Sequence, residues 1–221
     1  FMCVFNLGND IITLMNYDIF GWLAGLFGVM LSISQLKKLW QSRSVAGVSL
    51  AMWQLYVGVQ IGWVVHGIVE SNQPMTWASL ACALMGLSVL VFFNKYKPKK
   101  SRWVRQTTSA WWIFGASASL AGLFSWVAWY LPAGIKGLIF IFPTTFGQIH
   151  QLIKIHQAKS VAGLSVTMLL IYNFNQALLL IWSILIFDRT LTMTATTSMV
   201  ILAGSIIRYY YKLRQLKKSI S

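Results

Sequence analysis

Charged residues interrupt this chain only at intervals. Between them stretch uncharged runs at 19–36, 44–69, 71–94, 106–135, 137–153, 160–187 and 190–207. A helix needs roughly 20 apolar residues to cross a bilayer, with about 17–25 tolerated. The pattern therefore predicts seven membrane-spanning helices and an all-α integral membrane fold. The 106–135 run is longer than a crossing requires. Trp111 and Trp112 near one end, with Trp129 and Tyr130 near the other, are placed as interfacial anchors. The 137–153 run is the shortest and carries Pro143, which is expected to kink or weaken its helix because proline has no N–H and crowds the preceding turn.

A second pattern lies on top of the first. Residues 35–49 return as residues 151–165, a constant offset of 116 without a gap, with nine of fifteen positions identical. The identical residues include Gln35/Gln151, Ser44/Ser160, Val45/Val161, Ala46/Ala162, Gly47/Gly163 and Ser49/Ser165. Met52/Met168, Tyr56/Tyr172 and Gln60/Gln176 continue the register. Each copy covers the end of one span, a basic turn and the start of the next. Two triplets of spans with the same sense, separated by an odd span, read as parallel repeats about an axis along the membrane normal. The expected divisions are a first triple-helix bundle over 1–94, a basic loop and linker helix over 95–135, and a second bundle with a basic tail over 136–221.

Charge then fixes an orientation. With the connection between spans 1 and 2 in the cytoplasm, all but two of the 18 Lys and Arg residues fall inside; Lys136 and Arg189 fall outside, with the four acids Asp10, Asp18, Glu70 and Asp188. The positive-inside rule predicts the N-terminus outside and the C-terminus in the cytoplasm, and the expected location is a bacterial inner membrane. Topology thus accounts for the net charge of +14. Nucleic acid is not an expected partner, since that role asks for basic residues and stacking aromatics on one soluble face. Residues 1–18 hold two acids and no basic stretch, so no signal peptide is expected there. Composition agrees with a membrane protein: 57% hydrophobic, 10% charged and a mean hydropathy of +0.65.

The repeated turn, Gln-Leu-x-Lys leading through Gln-x-Arg/Lys to Ser-Val-Ala-Gly-Val/Leu-Ser, resembles the PQ-loop motif. The three-one-three layout is similar to the SWEET branch of that superfamily, over about the whole chain. Ser34 and His150 stand where the name-giving proline would be, so hinging would fall to glycines such as Gly25, Gly28, Gly47 and Gly163, and to Pro143. The run from Trp63 to Gly67 is similar to a Trp-x-x-Tyr-Gly run of SWEET second helices, with His66 for Tyr. Spans 3 and 7 hold no internal Asn where SWEETs carry a sugar-binding one; Asn72 and Asn94 lie at the ends of span 3. The resemblance implies a transporter for a sugar or similar neutral metabolite, working by alternating access. Gln35 and Gln151 would sit at flexible, gating helix ends. The alternatives are a receptor or scaffold of the same superfamily, as in the KDEL receptors, a proton-linked amino-acid carrier, and a vitamin-precursor carrier, a type with the same three-one-three layout but without the PQ-loop turns.

The residues themselves offer a path. Met52, Tyr56 and Gln60, and likewise Met168, Tyr172 and Gln176, recur every four positions and so share one helical stripe. Polar groups on that stripe would be unsatisfied in lipid and should face the bundle interior. The candidates for a solute path are Trp53, Tyr56, Gln60, Trp63, Tyr172, Asn173, Asn175 and Gln176; the competing reading is interhelical polar packing. The gate and hinge candidates are Gln35, Gly47, His66, Pro143, Gln151 and Gly163. For Gln35 and Gln151 the plainer role is to cap carbonyls at their own helix ends. For Gly47 and Gly163 it is to let helices approach closely. His66, four residues before Glu70, could pair with it as a pH-sensitive outer gate. His150 and His156 have no Cys, Asp or Glu partner close in sequence, so no metal is expected. Neither cofactor nor chemical step is expected, as no nucleophile–base pair or intramembrane carboxylate pair is present in the runs. The expected partners are a small solute and the lipid bilayer, with oligomerisation left open.

Overall fold

The structure is a computed structural model that describes residues 17–97, 110–157, 164–186 and 189–218. Cys3, Asp10, the basic cluster from Lys99 to Arg105, Lys159, the hinge candidate Gly163 and Asp188 lie outside the described residues, as does the side chain of Trp111. The described chain forms seven helices: α1 (Asp18–Ser42), α2 (Leu50–Val69), α3 (Gln73–Tyr96), α4 (Ala110–Tyr130), α5 (Ala133–Gln157), α6 (Val166–Leu185) and α7 (Arg189–Lys218).

The repeated motif encodes a turn and a helix start. Ser49 and Ser165 take nearly the same extended backbone, φ −87° with ψ 113° and 115°. Each hydroxyl accepts a hydrogen bond from the amide three residues on, Met52 N at 3.0 Å and Met168 N at 3.1 Å. This is N-capping, and it satisfies one of the free donors of the first helical turn. Gly47 sits at φ 80°, a conformation that costs other residues but not glycine. Its role is therefore to make the turn, rather than the close helix approach expected from sequence. Asn72 caps α3 in the same way through Met75 N at 3.0 Å.

Helix boundaries follow the uncharged runs with one instructive shift. Within the long fourth run α4 ends at Tyr130, and Pro132 immediately precedes α5, its carbonyl accepting from the amides of Ile135 and Lys136. Lys136 is thus not in a connection. It lies in the first turn of α5 and is buried, at 6% exposure. A charge marks the end of an apolar run, but proline marks the end of a helix. Pro143 does not interrupt α5, which continues through it to Gln157.

Both triplets pack alike: α3 lies between α1 and α2, and α7 lies between α5 and α6. Across the bundles α1 meets α6, and α2 meets α5. Helix α4 runs along α2 and touches α3 and α5 only slightly. That contact is close because Gly58 and Gly62, one turn apart, face Leu120 and Phe124. Gln54 extends it, donating from Nε2 to the carbonyls of Trp112 and Ile113, both at 3.2 Å.

Large apolar side chains are exposed all round the outside, with Ile19, Trp22, Leu26, Met30 and Ile33 forming one face of α1. Polar Gln35, Gln148, Gln151, Asn175 and Gln176 are buried. This inverts the usual arrangement of a soluble domain and suits a lipid surround. Among the described residues, five helices are long and apolar enough to cross a membrane: α1, α3, α4, α6 and α7. The apolar core divides along the bundle axis. One cluster around Leu39, Trp53, Leu90, Ile155 and Met168 lies toward the repeated turns; another around Trp63, Met75, Phe124, Phe140 and Trp182 lies toward Glu70.

Candidate functional site

Between the two bundles lies a cavity of about 110 Å³. At about 30 Å³ for each water in the liquid, that is room for roughly four water molecules. It is lined from α1, α2, α3, α5, α6 and α7, and its walls repeat at the motif offset of 116: Gly28/Thr144, Tyr56/Tyr172, Gln60/Gln176, Met75/Leu191 and Ala78/Thr194 all face it. Among the described residues that line it, none is charged. The chemistry on offer is hydrogen bonding by amides and hydroxyls, with Trp63 and Trp182 as aromatic surfaces.

Several lining groups hold one another in place. Tyr56 donates to the Gly28 carbonyl at 3.4 Å, and Gln148 Nε2 donates to the Tyr172 hydroxyl at 3.1 Å. Asn175 Nδ2 donates across the bundles to the Ala24 carbonyl, and Asn175 Oδ1 accepts from Gln176 Nε2 at 3.3 Å. Val59 stands where the repeat would place a second such Asn, so the cavity is more polar on one side than the other. Gln148 Oε1 and Trp182 Nε1 are buried and have no hydrogen-bond partner among the described residues. One is an acceptor and the other a donor, and buried groups left in this state are costly unless something meets them.

The turn end of the cavity is closed by bonds that cross between bundles. Gln151 Oε1 accepts from Ser49 N at 2.9 Å, and Gln151 Nε2 donates to the Gly47 carbonyl at 2.7 Å. Its repeat partner Gln35 accepts at Oε1 from Ser165 N at 3.2 Å. Beside these, Ser49 Oγ meets His150 Nδ1 at 2.6 Å and Ser34 Oγ meets Ser165 Oγ at 2.7 Å. Each motif glutamine thus holds the capped helix start of the opposite bundle instead of capping its own helix. The residues standing in place of the motif proline, Ser34 and His150, join the same contacts.

The opposite end is bridged by charge and aromatic packing. Lys136 Nζ, at the start of α5, lies 3.4 Å from Glu70 Oε1 at the end of α2, and His66 Nδ1 lies 3.9 Å from the same oxygen. Just inside, Trp63 packs on Phe140 with centroids 4.7 Å apart.

Of the eight path candidates, Tyr56, Gln60, Trp63, Tyr172, Asn175 and Gln176 line the cavity. Trp53 does not: it is wholly buried in the apolar core, edge-on to Tyr56 at 5.4 Å. Asn173 also lies away from it and donates to the Met199 carbonyl of α7 at 3.5 Å. Each follows a stripe residue by one position, Met52 and Tyr172, and so is turned about 100° from that residue. Among the gate candidates, Gln35, Gly47, Gln151 and His66 fall at the two ends, and Pro143 lines the cavity. Gln148 and Lys136 were not anticipated. Gln148 precedes Gln151 by three residues and so shares its helix face, a signal present in the sequence. The Lys136–Glu70 pair joins residues 66 apart and leaves no such local mark.

No family model matches the chain, and no curated protein does. Among solved structures, a eukaryotic SWEET transporter is similar, with a TM-score of 0.61 at 13% identity over 90% of this chain and 100% of that one. At this identity the likeness is one of fold.

Proposed function

We propose that this chain is a membrane transporter that passes a small, neutral, polar solute by alternating access, with sugars the first class to test. The observation that carries the reading is the paired closure beneath the cavity. Gln35 and Gln151 make repeat-related bonds across the bundles, directly below a space lined by uncharged hydrogen-bonding groups. Neutral hydrogen bonds contribute only about 1 kcal/mol each on balance. A closure built from them is held by a few kcal/mol, within the range a two-state switch can trade against a bound ligand. In this reading the turn end opens when the bundles separate, while Glu70–Lys136 and Trp63–Phe140 hold the other end. The basic residues of the turn end, Lys37, Lys38, Arg43, Lys154 and Arg208, favour placing it in the cytoplasm. The similar SWEET structure is that of a transporter, which supports the reading without naming a solute for this chain.

The test is solute exchange in proteoliposomes, with radiolabelled glucose, a neutral amino acid and a nucleoside as three separate probes. One probe should equilibrate saturably and exchange faster when the same solute is loaded on the far side. Exchange no faster than in protein-free vesicles for all three would overturn the proposal.

A further inference from the structure

The turn end of α5 and α7 carries a cation cluster that the cavity does not use. Arg208, Tyr211 and Lys212 lie on one face of α7, three and four residues apart. The Arg208 guanidinium donates from Nη2 to His156 Nδ1 on α5 and lies over the Tyr211 ring at 5.0 Å. Lys212 Nζ reaches the His156 carbonyl at 3.5 Å. Arginine can only donate, so His156 must accept at Nδ1 and keep its proton at Nε2, a further donor on an exposed ring. Arg208 Nε is buried and has no hydrogen-bond partner among the described residues.

Among the described residues the cluster has no acidic partner. The acids among the described residues are Asp18, at the start of α1, and Glu70, just past the end of α2, both at the opposite end of the bundle. Lys154, nearby on α5, adds another positive charge. The flanks are apolar and exposed: Ile207 at 70%, Tyr211 at 50% and Ile153 at 44%. Donors without an acid partner, at the end of a membrane-spanning helix and bordered by lipid-facing side chains, match a phosphate headgroup whose acyl chains lie alongside.

We infer that Arg208, Lys212 and His156 form a site for the headgroup of an anionic phospholipid in the leaflet at the turn end. The inference rests on the helices' place in a membrane and not on what the cavity carries, so a failure of solute exchange leaves it standing.

The test compares thermal unfolding of the purified chain in neutral detergent with added phosphatidylglycerol, with phosphatidylcholine, or with inorganic phosphate. Phosphatidylglycerol should raise the midpoint beyond phosphatidylcholine. The Arg208→Gln, Lys212→Gln pair should lose that increment, with apparent affinity falling roughly fivefold per cation removed. Lys38→Gln, on α1, should keep it. Equal midpoints with the two lipids in the unaltered chain would overturn the site, and so would an increment that survives the double substitution. The same rise with inorganic phosphate would assign the cluster to a free anion and equally overturn it. Should the double variant fail to fold, Arg208→Gln and Lys212→Gln taken singly carry the same test, each expected to lose part of the increment and each overturning the site if it keeps the whole.

Discussion

Two aromatic-to-polar neighbours on α2 separate transport from stability. Gln60 is half-buried and faces the cavity, whereas Trp53 is wholly buried in the apolar core. Replacing Gln60 with Leu removes one hydrogen-bonding group from the path. Exchange should fall on the order of tenfold, the equivalent of one net bond, while stability moves by no more than about 0.5 kcal/mol. Trp53→Leu should do the reverse, costing about 2–4 kcal/mol of stability through the cavity it leaves and sparing the exchange rate of the folded fraction. The pair is read by tracer exchange and by unfolding in detergent. At this scale the four-residue stripe was a good guide: Tyr56, Gln60, Tyr172 and Gln176 all reach the cavity. Trp53 and Asn173 lie off that stripe and were drawn in by residue type alone, which pointed to a path where helical phase did not. What could not be read was pairing over distance, as between Lys136 and Glu70, since nothing local in a sequence states which helix lies opposite.

The helices themselves were legible because lipid enforces them: charge-free runs of spanning length leave little other choice. Their ends were less so. The turn chemistry of Ser49 and Ser165 was visible as a repeat, but its meaning as a cap held by the other bundle came only with the packing. Close packing of α1 on α3 depends on small residues. A Cβ at Gly25 would stand 2.3 Å from that of Ala78. Gly25→Ala should therefore destabilise the first bundle by about 1–3 kcal/mol as an overpacked contact. Ala78→Gly in the same chain should recover most of that loss, and a double-mutant cycle of unfolding midpoints measures the recovery. No recovery would mean that the glycine serves α1 itself and not the α1–α3 contact.

Across the whole molecule, the duplicated bundles, the uncharged cavity between them and the paired glutamines below it make one mechanical proposal. None of the cavity-lining residues is a carboxylate, and Asp18 and Glu70 lie at helix ends. Proton coupling usually needs a titratable group within the membrane path. Exchange should therefore be indifferent to an imposed pH gradient, and a protonophore should leave the final solute level unchanged. Accumulation that collapses with a protonophore would instead point to His66 with Glu70. The central claim is that the turn end must open for solute to pass. Ser34 and Ser165, on opposite bundles with hydroxyls 2.7 Å apart, allow it to be tested directly. In a chain with Cys3 and Cys82 replaced by Ala, Ser34→Cys with Ser165→Cys should form a disulfide that ties α1 to the start of α6. Solute exchange in proteoliposomes should stop when that bond is oxidised and return when it is reduced. Exchange at an unchanged rate with the bond formed would contradict the account.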